Sequence, residues 1–261
     1  MPHEGREWSR EEVAGQLRDL GVEQGGVLLV HTAFRAIRPV EGGPAGLIEA
    51  LRMAIGPEGT LVMPSWTGSD EEPFDPATTP ASEDLGAVAQ TFWRMPGVIR
   101  SDHPFAFAAI GPRARRITDT PLPLPPHVPD SPVGRVHDED GQVLLLGTGH
   151  DANTTLHLAE LVAGVPYRLP KHITVLRDGR PVRVPYGEND HCCERFTLAD
   201  GWLRGAGLQR EGPVGNGTAR LVRSRDVVRV SAERLGRDPL VFLHAPGECA
   251  ECDDARASTV A

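Results

Sequence analysis

The chain has no apolar run approaching the ~20 residues that a bilayer-spanning helix needs. With 39% hydrophobic residues it reads as a soluble protein. Its opening stretch, MPHEGREWSREE, lacks the apolar centre of a secretory signal, so the expected compartment is the cytoplasm. Positive charge is also in short supply: 27 Lys and Arg against 36 Asp and Glu give a formal net charge of −9. That balance argues against a nucleic-acid partner and mildly favours a cationic one. Internal repeats and low-complexity segments are absent. Cysteine is sparse, and all four residues (Cys192, Cys193, Cys249 and Cys252) come late. Clustering of that kind in a reducing compartment suggests a metal site rather than a disulfide framework.

What is present is alternation. Ser9 and Glu12 have capping-box spacing, and Val13, Leu17 and Leu20 follow at helical period. Val27 to Val30 predicts a buried strand, Pro44 to Ile55 an amphipathic helix, and Thr60 to Met63 a second strand. Strand, helix and strand at this length imply a parallel pair. Asp84 is expected to start a third helix, and the six-proline stretch from Pro121 to Pro132 an extended wall carrying His127 and Asp130. Arg177-Asp178-Gly179-Arg180 between β-rich runs predicts a hairpin. Further on, helices are predicted near 194–203 and 225–235, strands near 219–222 and 240–243, and a loose tail after Cys252. The expected fold class is α/β with a mixed central sheet, in one domain covering 1–261.

The stretch from Gly141 to Glu160, GQVLLLGTGHDANTTLHLAE, carries the strongest chemical signal. Val143 to Leu146 is a short apolar strand ended by Gly147 and Gly149, and Asn153 offers a helix cap. His157 and Glu160 then lie one helical turn apart, on one face. An open α/β sheet binds ligands beyond the carboxyl ends of its strands. A histidine held there by a carboxylate is suited to general-base work.

His31 after the first strand, Ser101-x-His103-Pro104, Asp130-Ser131-Pro132 and Asn153-Thr-Thr-x-His157-x-x-Glu160 occur in this order from Val27 to about Leu243. In order and spacing the chain resembles the aminoglycoside 3-N-acetyltransferases. It is most similar to the branch acting on gentamicin-type and apramycin-type drugs, which shares MPSW, EPFDPAT, ENDHCCERF and a terminal CxxC. The resemblance implies an α/β/α sandwich distinct from the GNAT fold, and acetyl transfer from acetyl-CoA to the 3-amino group of a 2-deoxystreptamine ring, giving antibiotic resistance. By the same match His157 is the catalytic base and Glu160, or a neighbouring carboxylate, its support. Direct transfer in a ternary complex needs no protein nucleophile, so none is assigned to Ser131 or Cys192.

For the polycationic substrate, the resemblance places Asp70, Glu188 and Asp190 in the amine pocket, with Trp66, His127 and Asn153 beside them. For acetyl-CoA it points to His31, Thr32, Ala33, Phe34 and Arg35, and to Ser101, His103 and Phe105, while Arg35 and Arg38 suit the phosphates. The family's usual His-Ser-Ser is here His31-Thr32-Ala33, which removes one hydroxyl.

Cys249-x-x-Cys252 is a zinc half-site, and Cys192-Cys193 is the expected other half, with His191 or His244 as substitutes. A closed thiolate site would be structural. The competing readings are an acetyltransferase of the same fold acting on another amine, a zinc-dependent hydrolase using His150 and His157, and a drug-sequestering protein. The hydrolase lacks a His-Glu-x-x-His helix. A sequestering protein has no use for a base at His157. Either a monomer or a homodimer is compatible with the sequence.

Overall fold

The computed structural model describes residues 6–120 and 122–259. α1 (Arg10–Leu20) opens on the expected capping box, in which Ser9 and Glu12 satisfy each other's backbone N–H groups. β1 (Val27–Thr32), the one-turn α2 (Phe34–Ile37), α3 (Gly43–Ile55) and β2 (Thr60–Pro64) follow. Then come α4 (Gly86–Phe92), β3 (Ile99–Arg100), β4 (Phe107–Ile110), α5 (Ala114–Thr118), α6 (Pro132–Asp138) and β5 (Gln142–Leu146). α7 (Thr155–Ala163) precedes a separate hairpin of β6 (Leu169–Arg177) and β7 (Arg180–Glu188). α8 (Leu198–Gly205), β8 (Gln209–Val214), β9 (Gly217–Arg223), α9 (Ser224–Leu235) and α10 (Ala250–Ala257) complete the described chain.

Seven strands form one mixed sheet in the order β3-β4-β2-β1-β5-β9-β8. β1 is parallel to both β2 and β5, and the outer pairings are antiparallel. Because successive side chains alternate faces, β1 divides its residues between two cores. Leu28 and Val30 pack with α1, α3 and α4, whereas Val27 and Leu29 pack with α6, α7 and α9. Helices therefore cover both faces, which is why β1, β2 and β5 read as unbroken apolar runs. No helix among the described residues is long and apolar enough to cross a membrane.

The chain leaves β1 for β2 on one side and returns to β5 on the other, making β1 a topological switch point. The turn after β5 brings backbones close together. Gly147 has φ +74°, and a Cβ there would meet the Ala33 carbonyl at 2.9 Å.

Two expectations change, and one strand was not anticipated. Leu240–Leu243 is not a strand: it has no ladder partner, and Phe242 is buried against Phe196 and Trp202 in a turn. β8 is an edge strand whose sequence, QREGPV, is too polar and proline-interrupted to announce itself. The tail after Cys252 is helical, since Cys252 and Ala255 pack with Tyr167 and Leu243.

Candidate active site

Beyond the carboxyl ends of β1, β2 and β5 lies a cleft of about 630 Å³. The strand ends contribute His31, Thr32, Pro64 and Trp66; the segment after β1 contributes Ala33, Phe34, Arg35 and Arg38. Asn153, Thr154 and His157 form part of the opposite wall. A smaller recess is lined by Pro125, His127, His157, Leu161, Glu188 and Asn189. His157 is the residue common to both.

α7 presents His157 as its spacing requires. The helix N-cap is Thr154 rather than the anticipated Asn153; the Asn153 side chain instead accepts from the Thr155 N–H at 3.1 Å in an Asx turn just ahead of the helix. One turn on, His157 Nδ1 donates to Glu160 Oε2 at 3.0 Å. Glu160 is fully buried, and its other oxygen accepts from His191 Nε2 at 2.8 Å and from the Tyr167 hydroxyl. Burial pushes this carboxyl up, but the bonds from His157 and His191 outweigh it and hold Glu160 below the usual range.

The pairing fixes the His157 tautomer. With Nδ1–H on Glu160, Nε2 is left as the proton acceptor. Burial would lower the His157 pKa, yet the Cys193 sulfur, 3.6 Å from Nε2, and the Glu160 carboxylate together raise it well above 6.5. His127 stacks on the imidazole with centroids 5.0 Å apart, and Phe196 meets it edge-on at 5.0 Å. Two flat neighbours therefore restrict rotation of the ring.

Around this base, three buried histidines are held neutral. Burial depresses His31 to about 3 and His103 to about 4, and drives His127 well below its ordinary value. His31 reaches the Thr154 hydroxyl at 3.3 Å. Ser101, His103 and Phe105 do not line the cleft. The Ser101 hydroxyl accepts from Phe107 N–H, and His103 spends both nitrogens on the backbone, at Pro123 and Phe105. This segment instead braces His127, which Phe105 meets edge-on at 6.2 Å.

The acidic residues converge. Asp190 is paired with Lys171, Glu188 accepts from the Tyr186 hydroxyl at 3.0 Å, and the Asp70 carbonyl accepts from Thr174 at 2.8 Å. All three thus meet the β6–β7 hairpin, and although burial lowers the Lys171 pKa, Asp190, Glu188 and Asp70 raise it and prevail. Burial also raises Glu188 above the usual carboxylate range. Asp130 lies elsewhere, paired with Arg135, and Ser131 caps α6.

The cysteine assignment is corrected at one position. Cys192, Cys249 and Cys252 come together with His244, all four ligand atoms lying within 4.8 Å of one another. Cys193 is excluded because its backbone is left-handed (φ +60°) and its N–H is bonded to His191 Nδ1, turning Sγ toward His157. The roles of Tyr167 and His191 beneath Glu160 were not read from the sequence. In the sequence His191 adjoins the cysteine pair and reads only as a possible substitute metal ligand, while Tyr167 offers only its place seven residues after Glu160.

A switch-point cleft that shares His157 with a recess carrying Glu188 defines a group-transfer enzyme with a cationic acceptor. The family model described as aminoglycoside 3-N-acetyltransferase matches residues 29–236. Aminoglycoside N(3)-acetyltransferase IV of Salmonella sp is 68% identical over 240 residues, covering 92% of each chain. A solved histidine-to-alanine mutant of aminoglycoside acetyltransferase AAC(3)-IVa in complex with a gentamicin superposes with a TM-score of 0.96 at 65% identity, covering 98% of this chain and 99% of that one. The complex with apramycin gives 0.89 at 63%, covering 94% and 98%. AAC-IIIb in binary complex with CoASH gives 0.82 at 26%, covering 89% and 97%. The chain belongs to the aminoglycoside 3-N-acetyltransferase family.

Proposed function

We propose that this enzyme, as a single domain over residues 1–261, transfers acetyl from acetyl-CoA to the 3-amino group of 2-deoxystreptamine drugs of the gentamicin and apramycin type, and so confers resistance. The observation that carries the reading is the position of His157, in the wall of both the long cleft and the acidic recess. The cleft fits an acyl-CoA. Arg35 and Arg38 stand in its wall for phosphates, and the Thr32 hydroxyl is a buried group with no partner among the described residues. Acetyl-CoA supplies the activated acyl group. Everything else falls to the chain's own residues.

An amine attacks a thioester only as the free base, and drug amines are largely protonated near neutral pH. Nε2 of His157 takes the proton as nitrogen attacks the carbonyl carbon, a contribution of roughly 10²–10⁴-fold. The carbon–sulfur bond then breaks, and the departing CoA thiolate takes that proton back from His157 to leave as the free thiol. Glu160 supports the imidazolium that forms, and His191 and Tyr167 keep that buried carboxylate ionised and fixed. Glu188, Asp190 and Asp70 receive drug ammonium groups, with Trp66 and Asn153 at the junction with the cleft.

A structural zinc fits Cys192, His244, Cys249 and Cys252. Cys192 Sγ is 3.4 Å from His244 Nδ1 and 3.6 Å from Cys252 Sγ. Ligands about 2.3 Å from a tetrahedral zinc are spaced about 3.8 Å apart. The four residues tie α10 and the segment before it to the His191 loop, so the metal's part is to hold that loop under Glu160. We place the reaction in the cytoplasm, where acetyl-CoA and reduced thiols are found.

The test is thiol release from acetyl-CoA with and without gentamicin or apramycin, followed by mass spectrometry. Drug-dependent release with one acetyl added to the drug is the expected result. No release with any 2-deoxystreptamine drug would favour an acetyltransferase of the same fold acting on a different amine.

A further inference from the structure

Lys171 puts a positive charge in a pocket assigned to cations. It lies on β6 opposite Tyr186 of β7, and its ammonium is bonded to Asp190. Tyr186 donates to Glu188, and Thr174, farther along β6, ties the Asp70 backbone to the same strand. One resident cation therefore sits among the carboxylates meant for drug ammonium groups. The adjoining recess also holds an unused polar atom. His127 is 6% exposed and its Nε2 has no partner among the described residues, although it stands in the wall with Glu188 and Asn189. That atom marks the recess as a place where a ligand's polar group completes the bonding.

Without Lys171 the three carboxylates would repel one another in the free enzyme. With it, one of them is already neutralised, and an arriving ammonium must share or displace a tethered competitor. Lysine suits that role: its ammonium is a compact point charge on a flexible stem and can swing aside.

We propose that Lys171 is a tethered cation that fills one ammonium subsite of the amine pocket and limits how strongly highly charged aminoglycosides bind. The inference rests on the acetyltransferase reading above. The cation's removal frees Asp190 for a direct charge-assisted bond to the drug, and raises the number of charges the drug meets. The gain is electrostatic and half-exposed, so it shrinks with added salt.

The experiment is calorimetric titration of gentamicin into the wild-type protein, K171M, K171Q and K171R, at low and physiological ionic strength. K171M and K171Q are expected to bind gentamicin about three- to tenfold tighter at low salt, with a steeper salt dependence. K171R, which keeps the charge, stays within about twofold of wild type. 2-Deoxystreptamine alone, with fewer amines, gains less than gentamicin. Wild-type binding with equal or weaker affinity in both neutral variants overturns the inference alone, because Lys171 would then be an organiser of Asp190 rather than a competitor. No gentamicin binding by the wild type overturns the acetyltransferase reading and this inference with it.

Discussion

His157 and His191 hang from opposite oxygens of the single buried carboxylate of Glu160. The first is the base of the mechanism proposed above. The second accepts the Cys193 N–H at 3.0 Å and so fixes the loop that covers the first. Glu160→Gln cannot serve both imidazoles as a charged acceptor. Turnover should fall roughly 10²–10⁴-fold, with a loss of thermal stability from the disrupted buried network. Tyr167→Phe removes one of the three bonds and should cost about 1 kcal/mol of stability with most turnover kept. Equal loss of turnover in both variants would contradict the division of roles.

Because His157 is held well above 6.5, the free enzyme needs a rise in pH to deprotonate its base. The acid limb of kcat/KM should therefore lie above that value, activity falling as pH falls through it. Cys193→Ala removes one cause of the shift and should move the limb to lower pH. An unmoved limb would show that the sulfur does not act on the base. In stability the sign is opposite: the His157 contribution is fully present below the unfolded value and is lost as pH rises through the raised one.

The buried neutral histidines give a separate signature. His31 and His103, depressed to about 3 and about 4, and His127 must all take up protons when the chain unfolds in weak acid. Stability should decline as pH falls from about 6.5 toward 4, with a slope of about three protons from these residues and a further contribution from His150, which burial also holds below its ordinary value. Denaturant titrations across this range measure it. A flat profile would mean that these histidines are charged in the folded protein.

Much of this arrangement was legible in the sequence because it is local. The His157–Glu160 pair follows from helical spacing, and the parallel β1–β2 pair from two apolar runs flanking an amphipathic helix. The Asp178-Gly179 hairpin turn is legible for the same reason. What escaped depends on long-range contacts. Nothing local tells that Tyr167 reaches Glu160, or that of two adjacent cysteines Cys192 turns to His244 and Cys193 to His157. The apolar run Leu240–Leu243 misled for a related reason: burial by side-chain packing leaves the same signal as burial in a sheet. Ser101 and His103, which match a family motif, bond to the backbone of Phe107 and Pro123, contacts that the motif alone does not reveal.

Metal content separates the two neighbouring cysteines. His244→Ala and Cys252→Ala should lose bound zinc, and chelation should lower the melting temperature before it lowers the rate. Cys193→Ala should keep a full complement of metal. Zinc loss in Cys193→Ala would reverse the assignment.

The role of His157 is tested most directly by the turnover of His157→Ala set beside its affinity for acetyl-CoA. The expected result is a fall in drug-dependent thiol release of at least about 10²-fold with acetyl-CoA bound as in the wild type. Turnover near that of the wild type, at any pH, would contradict the assignment of His157 as the base.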